Sequence, residues 1–156
     1  MDITTALNII KKERKLLDNV LNDFKPEHGE FKPTEEMMSA AHQIKHIALT
    51  TGWFMKGAFG SGFEMNFEEY LEEMKKPVTL EEALGILNNT YDETAANIEK
   101  MTEDEISSPL PENPILGQAP RFSVLYANSD HTAHHRGVLT VYLRLLGITP
   151  KMIYSP

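Results

Sequence analysis

The chain has 156 residues, which suits one domain, and 41% of them are hydrophobic, enough for an ordinary globular core. The formal net charge of -8 argues against binding to nucleic acids or anionic membranes, because both need clustered Lys and Arg. There is no cysteine, which excludes disulfides and thiolate metal sites, and no basic leader or membrane-length apolar run is visible. We therefore expect one cytoplasmic domain over residues 1–156.

Two long helices are predicted in the first part of the chain. The first covers about Asp2–Phe24, where apolar residues recur at spacings of three and four. Pro33 opens the second, predicted from about Glu35 to Phe59. The second helix is apolar on two sides, one with His42, His46, Leu49 and Trp53, the other with Met37, Ala41, Ile44, Ala48 and Met55. Either side can face the bundle, and the second apolar side favours a dimer.

A short helix and a third long helix are predicted next. Asn66 is expected to cap a short helix that ends at Met74, inside the long connection 60–76. Thr79 and Glu82 have the spacing of a capping box, in which each side chain bonds the other residue's backbone N–H. From Leu80 to Met101, a row of mostly apolar positions alternates between spacings of four and three, a pattern typical of a bundle seam.

The fourth long helix follows a proline-rich connection over residues 102–119. It is predicted to start near Pro120 and to stop at Leu146 and Gly147. The chain shows no strand alternation, so the predicted fold class is all-α, a four-helix bundle with long crossover loops. Each long connection either covers a site or simply crosses the bundle.

Two histidines occupy a row of the fourth helix that is expected to be apolar. The predicted inward row has steps of four and three residues: Val124, Asn128, His131, His135, Val138, Tyr142 and Leu145. Burying polar groups without partners costs about 1–3 kcal/mol each. Imidazoles four residues apart on a helix can direct nitrogens at one metal ion. The alternative is a pair of core histidines hydrogen-bonded to the backbone, Asp130, Asn128 or Tyr142.

A third metal ligand has to come from another helix. His46 can supply it if the histidine side of the second helix faces inward. If that side faces outward, His46 belongs to a subunit interface or lies under a covering loop. His42 and His134 lie off the predicted row and are expected at most to support the site.

Three segments carry a resemblance to a known family. Asp130–Gly137, followed by Tyr142–Pro150, resembles the C-terminal signature of the DinB/YfiT superfamily. Gln43–Ala48, followed by Trp53 and Phe54, is similar to the first-ligand motif of that family. The resemblance implies a four-helix bundle, often dimeric, that binds one divalent ion through three histidines. Matched by motif, the ligands are His46, His131 and His135.

The resemblance also implies a metal-dependent enzyme acting on a small molecule. Three histidines leave a coordination position open, where zinc or nickel can activate water or a low-molecular-weight thiol, as in hydrolases and thiol S-transferases. Val138 stands where many relatives have glutamine, which leaves any role of that position open. Residues expected to orient substrate or support the ligands are His42, Asp130, His134, Arg136 and Tyr142.

Other functions remain open at this point. The first is a non-catalytic metal-binding or stress-responsive dimeric bundle, and the second is a buried polar histidine cluster that binds no metal. An enzyme is expected to have a pocket beside the histidines, whereas a scaffold is expected to have a closed site. No catalytic acid or base can be selected from the sequence. The expected partners are a small-molecule substrate and a second copy of the chain, with no nucleic acid and no membrane.

Overall fold

Helices make up the regular structure of residues 1–154, the part of the chain that the computed structural model describes. In chain order they are α1 (Ile3–Leu21), α2 (Ala40–Phe59), α3 (Glu68–Lys75), α4 (Leu80–Glu99), α5 (Glu103–Ser107) and α6 (Ser123–Leu145). A short 3-10 turn, Pro26–His28, lies between α1 and α2. The four long helices confirm the predicted all-α bundle.

The long helices surround one core. α1 packs against α4 and α6, and α2 packs against the same two helices. α1 and α2 therefore occupy opposite corners of the bundle, with α4 and α6 between them. Each long helix contributes fully buried side chains, such as Leu17, Ile44, Leu87 and Leu139. Burying one such side chain contributes about 1.5–3 kcal/mol, so the core accounts for most of the driving force for folding. Within the described residues, no helix is both long and apolar enough to cross a membrane.

α2 begins later than the sequence pattern predicts. The expected start at Glu35 is wrong, because the helix starts at Ala40 and Ser39 caps it by accepting a backbone hydrogen bond from the first turn. The first two backbone N–H groups of α2 donate to the carbonyls of Gly29 and Phe31. The preceding loop satisfies these groups, so no earlier helical turn is needed.

α6 begins three residues after Pro120, near which its start was predicted, and the Ser123 N–H donates to the Pro120 carbonyl. Pro120 pairs with Pro109 in an isolated antiparallel bridge. A hydrogen bond of 2.8 Å from the Leu110 N–H to the Ala119 carbonyl closes this pairing. The chain is therefore extended at Pro120, and α6 begins at Ser123.

In the first half of α6 the buried side chains follow the predicted inward row, and in the second half they lie on a different row of the helix. Leu145 is 59% exposed and Val138 is half-buried. The positions that are buried follow another row: Val124, Asn128, Thr132, His135, Leu139 and Tyr142. A strict seven-residue repeat drifts by about 20° per heptad on a straight α-helix, and α6 is long enough for this drift to matter.

Two of the predicted helix signals are confirmed. Thr79 and Glu82 form the capping box at the start of α4, with the Thr79 N–H donating to the Glu82 carboxylate at 2.8 Å. α6 stops just before Gly147, which has a positive φ of 79°. Glycine adopts this backbone conformation without the penalty that a Cβ brings, so it terminates the helix.

Other helix ends differ by a few residues. α1 ends at Leu21 instead of Phe24, although Phe24 still packs in the core. α3 begins at Glu68, whose N–H donates to the Asn66 side chain at 3.1 Å, so Asn66 precedes the helix without capping it directly. The sequence pattern does not predict α5, which opens with a second capping box at Thr102.

Candidate metal centre

α2 and α6 bring three histidines together inside the bundle. His46 comes from α2, and His131 and His135 come from α6. Their ring centroids are 4.4–4.9 Å apart. One ring nitrogen from each lies within 4.8 Å of the other two, and the Nε2 atoms of His46 and His131 are 3.0 Å apart. The histidine side of α2 therefore faces inward, and this group can hold a metal ion.

The surroundings of the three imidazoles favour their neutral form. Burial lowers the pKa of His46, and burial with the neighbouring His46 lowers the pKa of His131 to about 4. Burial and the other histidines lower the pKa of His135 to about 3. Neutral imidazole is the form that binds a metal, because a proton competes for the same lone pair. At neutral pH all three rings are therefore ready to act as ligands.

A hydrogen bond from α2 orients the ring of His135. Its Nδ1 lies 2.6 Å from the side-chain oxygen of Gln43, which is buried. Because an amide oxygen only accepts, Nδ1 carries the hydrogen and Nε2 keeps its lone pair. Metal-binding histidines are commonly held in this way by a partner on the other ring nitrogen. Gln43 belongs to the segment that carries the family resemblance, but the sequence did not point to this role.

A second partner comes from α3. The hydroxyl of Tyr70 makes a short hydrogen bond with Nδ1 of His46, which leaves Nε2 of His46 facing His131. Burial raises the pKa of the Tyr70 phenol, so it stays protonated at neutral pH. Nδ1 of His131 is buried without a hydrogen-bond partner. The sequence did not reveal Tyr70, because it lies 24 residues from His46 in a long connection.

The connection 60–76 is fixed to α2 at three points, and Tyr70 is one of them. The buried ammonium of Lys45, 2% exposed, donates to the backbone carbonyl of Glu73 at 2.6 Å and pairs with its carboxylate at 2.9 Å. The indole N–H of Trp53 donates to the carbonyl of Glu64 at 2.7 Å. The connection thus covers the histidine side of α2 and does more than cross the bundle.

A buried carboxylate, Glu13 of α1, contacts the same buried row of α6 that contains His135. Glu13 of α1 accepts hydrogen bonds from Asn128 at 2.8 Å, Ser129 at 2.6 Å and Thr132 at 3.3 Å, and from the hydroxyl of Tyr91. Burial raises the pKa of Glu13, and the hydroxyl donors oppose that rise. The network ties α1, α4 and α6 together immediately behind the histidines. The hydrophobic pattern of the sequence does not predict this network, because a charged residue such as Glu13 is expected on the surface of α1.

The same histidine motifs place the chain in a family. The DinB family model matches residues 1–156. The chain belongs to the DinB family. It is 29% identical over 144 residues to the uncharacterized protein YjoA of Bacillus subtilis (strain 168), covering 91% of this chain and 89% of that protein. The resemblance stated from the motifs is therefore confirmed.

A solved structure shares the fold. The 2.30 Å crystal structure of YjoA from Bacillus subtilis, described as a DinB-like protein, superposes with a TM-score of 0.68. The superposition covers 97% of this chain and 98% of the other, with 21% sequence identity. The crystal structure therefore supports the four-helix bundle of this DinB-family protein.

Two of the residues expected to support the site lie around the segment 31–39. His42 is half-buried, and its Nδ1 is 2.9 Å from the hydroxyl of Ser39. Tyr142 is fully buried and donates to the backbone carbonyl of Met38 at 2.8 Å, with its ring against Phe31. Tyr142 thus holds this segment against α6, and its hydroxyl is committed to the backbone.

The other three expected residues lie further out on α6. Asp130 is exposed, and its charge slightly opposes the lowering of the His131 pKa. His134 is exposed, with its ring perpendicular to that of His135 at a centroid distance of 4.9 Å. Arg136 is half-buried, and its charge acts on Glu13. All three are therefore close to the histidines without a hydrogen bond to a candidate ligand ring.

Proposed function

We propose that this DinB-family protein is a metal-dependent enzyme that acts on a small molecule. The observation that carries the proposal is the convergence of three neutral imidazoles, His46, His131 and His135, which together offer three nitrogen ligands. Zinc or nickel suits such a set of ligands. A divalent ion bound here supplies Lewis-acid chemistry, which lowers the pKa of a water or a low-molecular-weight thiol at an open coordination position.

The residues of the chain itself prepare the site for this chemistry. Gln43 holds the ring of His135, and Tyr70 holds the ring of His46, so two of three ligand nitrogens are aimed before an ion arrives. Such pre-orientation removes part of the entropic cost of assembling the site. The ion pair between Lys45 and Glu73 holds α3 against α2 beside the histidines.

A cavity beside the histidines favours the hypothesis of an enzyme over that of a scaffold with a closed site. Its volume is about 810 Å³, and His42, His46 and Tyr70 line it. Sites for small molecules and cofactors usually measure about 300–1,000 Å³. A second cavity, of about 650 Å³, lies between α2 and α4 and has none of the three histidines in its lining, so it does not compete as the reaction site.

The first test is the metal content of purified protein by elemental mass spectrometry. We expect about one ion per chain in the wild type, and loss of the ion in His131→Ala and in His135→Ala. His28→Ala is the matched control, because His28 lies in the 3-10 turn after α1 and is expected to leave the metal content unchanged. Wild-type protein that neither carries zinc or nickel nor takes them up on incubation would contradict the proposal.

The second test separates the two reactions. Metal-loaded protein is incubated with an electrophilic substrate in the presence and absence of a low-molecular-weight thiol, and the products are identified by mass spectrometry. A thioether from an epoxide, or a thioester with release of the alcohol or amine from an ester or amide, indicates thiol transfer, and a hydrolysed product indicates activation of water. The absence of either product across ester, amide and epoxide substrates would leave a metal-binding bundle without catalysis.

A further inference from the structure

The cavity beside His46 has a predominantly apolar wall. It lies between the segment 30–39, α2, α3 and the turn that precedes α4. Its apolar lining consists of six side chains: Met37, Met38, Leu71, Met74, Pro77 and Val78. The polar groups His46 and Tyr70 also line it, and His46 belongs to the three-histidine cluster. The cavity therefore has an apolar wall and also borders the candidate metal centre at His46.

Charges around the cavity do not favour either sign. Lys32 and Lys75 line it, but Lys32 pairs with Glu35 at 2.5 Å and Lys75 pairs with Glu72 at 2.6 Å. Glu30 and Glu36 are the acidic residues of the lining, and both are exposed to solvent. Because Glu35 and Glu72 neutralise the two lysines, no free cation is left to hold an anionic ligand, and solvent screens the charges of the two exposed glutamates. The lining thus suits an uncharged molecule.

Three of the six apolar side chains are methionines. Methionine has a flexible, polarizable side chain that adapts to ligands of different outline. Hydrogen bonds also fix the backbone of the wall. Tyr142 donates to the backbone carbonyl of Met38, and Lys45 donates to the backbone carbonyl of Glu73. The backbone around the cavity is therefore fixed, whereas the methionine side chains that line it can adapt to a ligand.

We propose that this cavity binds the uncharged, apolar body of the substrate and directs its reacting head towards His46 and Tyr70. The substrate class is a neutral amphiphile, an apolar chain or ring with one polar end. The placement of the head rests on the proposed function, whereas the binding of the apolar body rests on the cavity alone.

The test uses a homologous series of linear alkyl hydroxamates, from butyl to octyl, bound to zinc-loaded full-length protein. Calorimetry measures each dissociation constant. We expect affinity to rise about fourfold for each added methylene while the chain remains inside the cavity, because burying one CH₂ contributes about 0.8 kcal/mol. Affinity that does not change with chain length would overturn the inference.

Two surface variants show whether the chain lies in this cavity. Leu71 and Ile115 are both 55% exposed, so a charge at either position is expected to leave the fold intact, and Ile115 is not part of the cavity lining. Leu71→Glu should flatten the dependence on chain length, and Ile115→Glu should keep it. Equal behaviour of the two variants would count against the cavity as the binding site.

A matched series of alkyl carboxamides separates this inference from the proposed function. Carboxamides carry the same chains but lack the chelating head. If the hydroxamates bind more tightly than the carboxamides only when zinc is present, the head reaches the metal. If the two series bind equally and both still depend on chain length, the head does not reach the metal while the apolar site stands, and failure of the proposed metal function shows separately as a protein that takes up no zinc.

Discussion

Two of the three candidate ligands, His46 and His135, depend on single hydrogen bonds for their orientation. Gln43 accepts from Nδ1 of His135, and Tyr70 contacts Nδ1 of His46, so in both rings the other nitrogen faces the centre of the cluster. An imidazole that rotates by half a turn presents a carbon instead of a nitrogen to the metal. Residues that contact no ion therefore decide how well the three histidines bind one.

Gln43→Ala is expected to lower metal affinity without unfolding the protein. Loss of such a partner typically costs about 10- to 100-fold in metal affinity, because the ring can then rotate and change tautomer. Competition with a coloured chelator measures the affinity. The control is Gln118→Ala, since Gln118 is exposed in the connection before α6 and outside the cluster. Unchanged affinity in Gln43→Ala would show that Gln43 does not position His135.

The stability of the metal-free protein should depend on pH through His135. Its pKa is about 3 in the folded protein, against 6.5 for an ordinary histidine. Below pH 6.5 the unfolded chain therefore binds more protons, and the free energy of unfolding falls as the pH drops from about 6.5 towards 3. The slope is at most about 1.4 kcal/mol per pH unit for this one group.

Chemical denaturation in the presence of a chelator, at a series of pH values, tests this dependence. The control is His135→Phe, which keeps a ring but has no titrating group. The wild type should lose stability relative to the variant as the pH falls. Glu13 acts in the opposite direction, because burial raises its pKa, but it is present in both proteins and cancels. Parallel pH profiles would contradict the lowered pKa of His135.

At the scale of elements, the side of α2 that carries the histidines is closed by the connection 60–76. Phe63 lies against Gly57, where a Cβ would overlap its ring, and the ring centroid of Trp53 is 5.0 Å from that of Phe63, with the two planes tilted by 58°. A glycine in the middle of a helix usually costs about 0.5–1 kcal/mol relative to alanine. Here the glycine is needed, since only a bare α-carbon admits the Phe63 ring.

Gly57→Ala is expected to displace Phe63 and to shift the fluorescence of Trp53, the single tryptophan of the chain, to longer wavelength. It should also destabilise the protein, despite the better helix propensity of alanine. Gly85→Ala in α4 is the control, because nothing lies within 4 Å of a Cβ built there. That variant should gain about 0.5–1 kcal/mol. Similar gains in both variants, with unchanged fluorescence, would refute the packing of Phe63 on Gly57.

Glu73→Ala is expected to loosen α3. The variant removes the carboxylate partner of Lys45, whose buried ammonium then keeps only a backbone carbonyl. Hydrogen exchange followed by mass spectrometry should show faster exchange over Glu68–Lys75. Glu72→Ala is the control, since Glu72 pairs with Lys75 in solvent. Equal exchange in the two variants would mean that the ion pair with Lys45 does not hold α3.

At the scale of the whole molecule, both apolar sides of α2 are used within the chain. Ile44 and Ala48 are fully buried in the core, and His46 meets α6 and α3. The apolar sides of α2 therefore no longer favour a dimer. Exposed apolar side chains lie on α6 instead, at Tyr126, Val141 and Leu145.

The homodimer remains a prediction, and α6 is the surface on which it can be tested. Sedimentation equilibrium should give twice the chain mass for the wild type at micromolar concentration. Leu145→Glu should shift the equilibrium to the monomer, because it places a charge in an apolar interface. Met152→Glu is the control, since Met152 is also exposed and lies beyond α6. A wild type that sediments as a monomer at all concentrations would exclude the dimer.

The sequence by itself determined the helical class, the four long helices and the three histidines that meet. The helix signals are local: they are the apolar spacing, the capping box of Thr79 and Glu82, and the helix-terminating Gly147. Local signals do not depend on how the helices are arranged. The motifs around His46 and His131 also identified the family, which the match over residues 1–156 confirms. The helix signals were predictable because each depends on residues within a few turns of one another, whereas His46 and His131 are 85 residues apart and were brought together only through the family motifs.

Only the tertiary structure decided which side of α2 faces inward and which residues orient the histidines. Gln43 and His135 are 92 residues apart, and Tyr70 reaches His46 from a separate short helix. Glu13 meets α6 across the bundle and is buried although its sequence neighbours are charged. Helical periodicity describes one element at a time, whereas these contacts arise from the relative placement of elements, which is determined by the packing of the whole core.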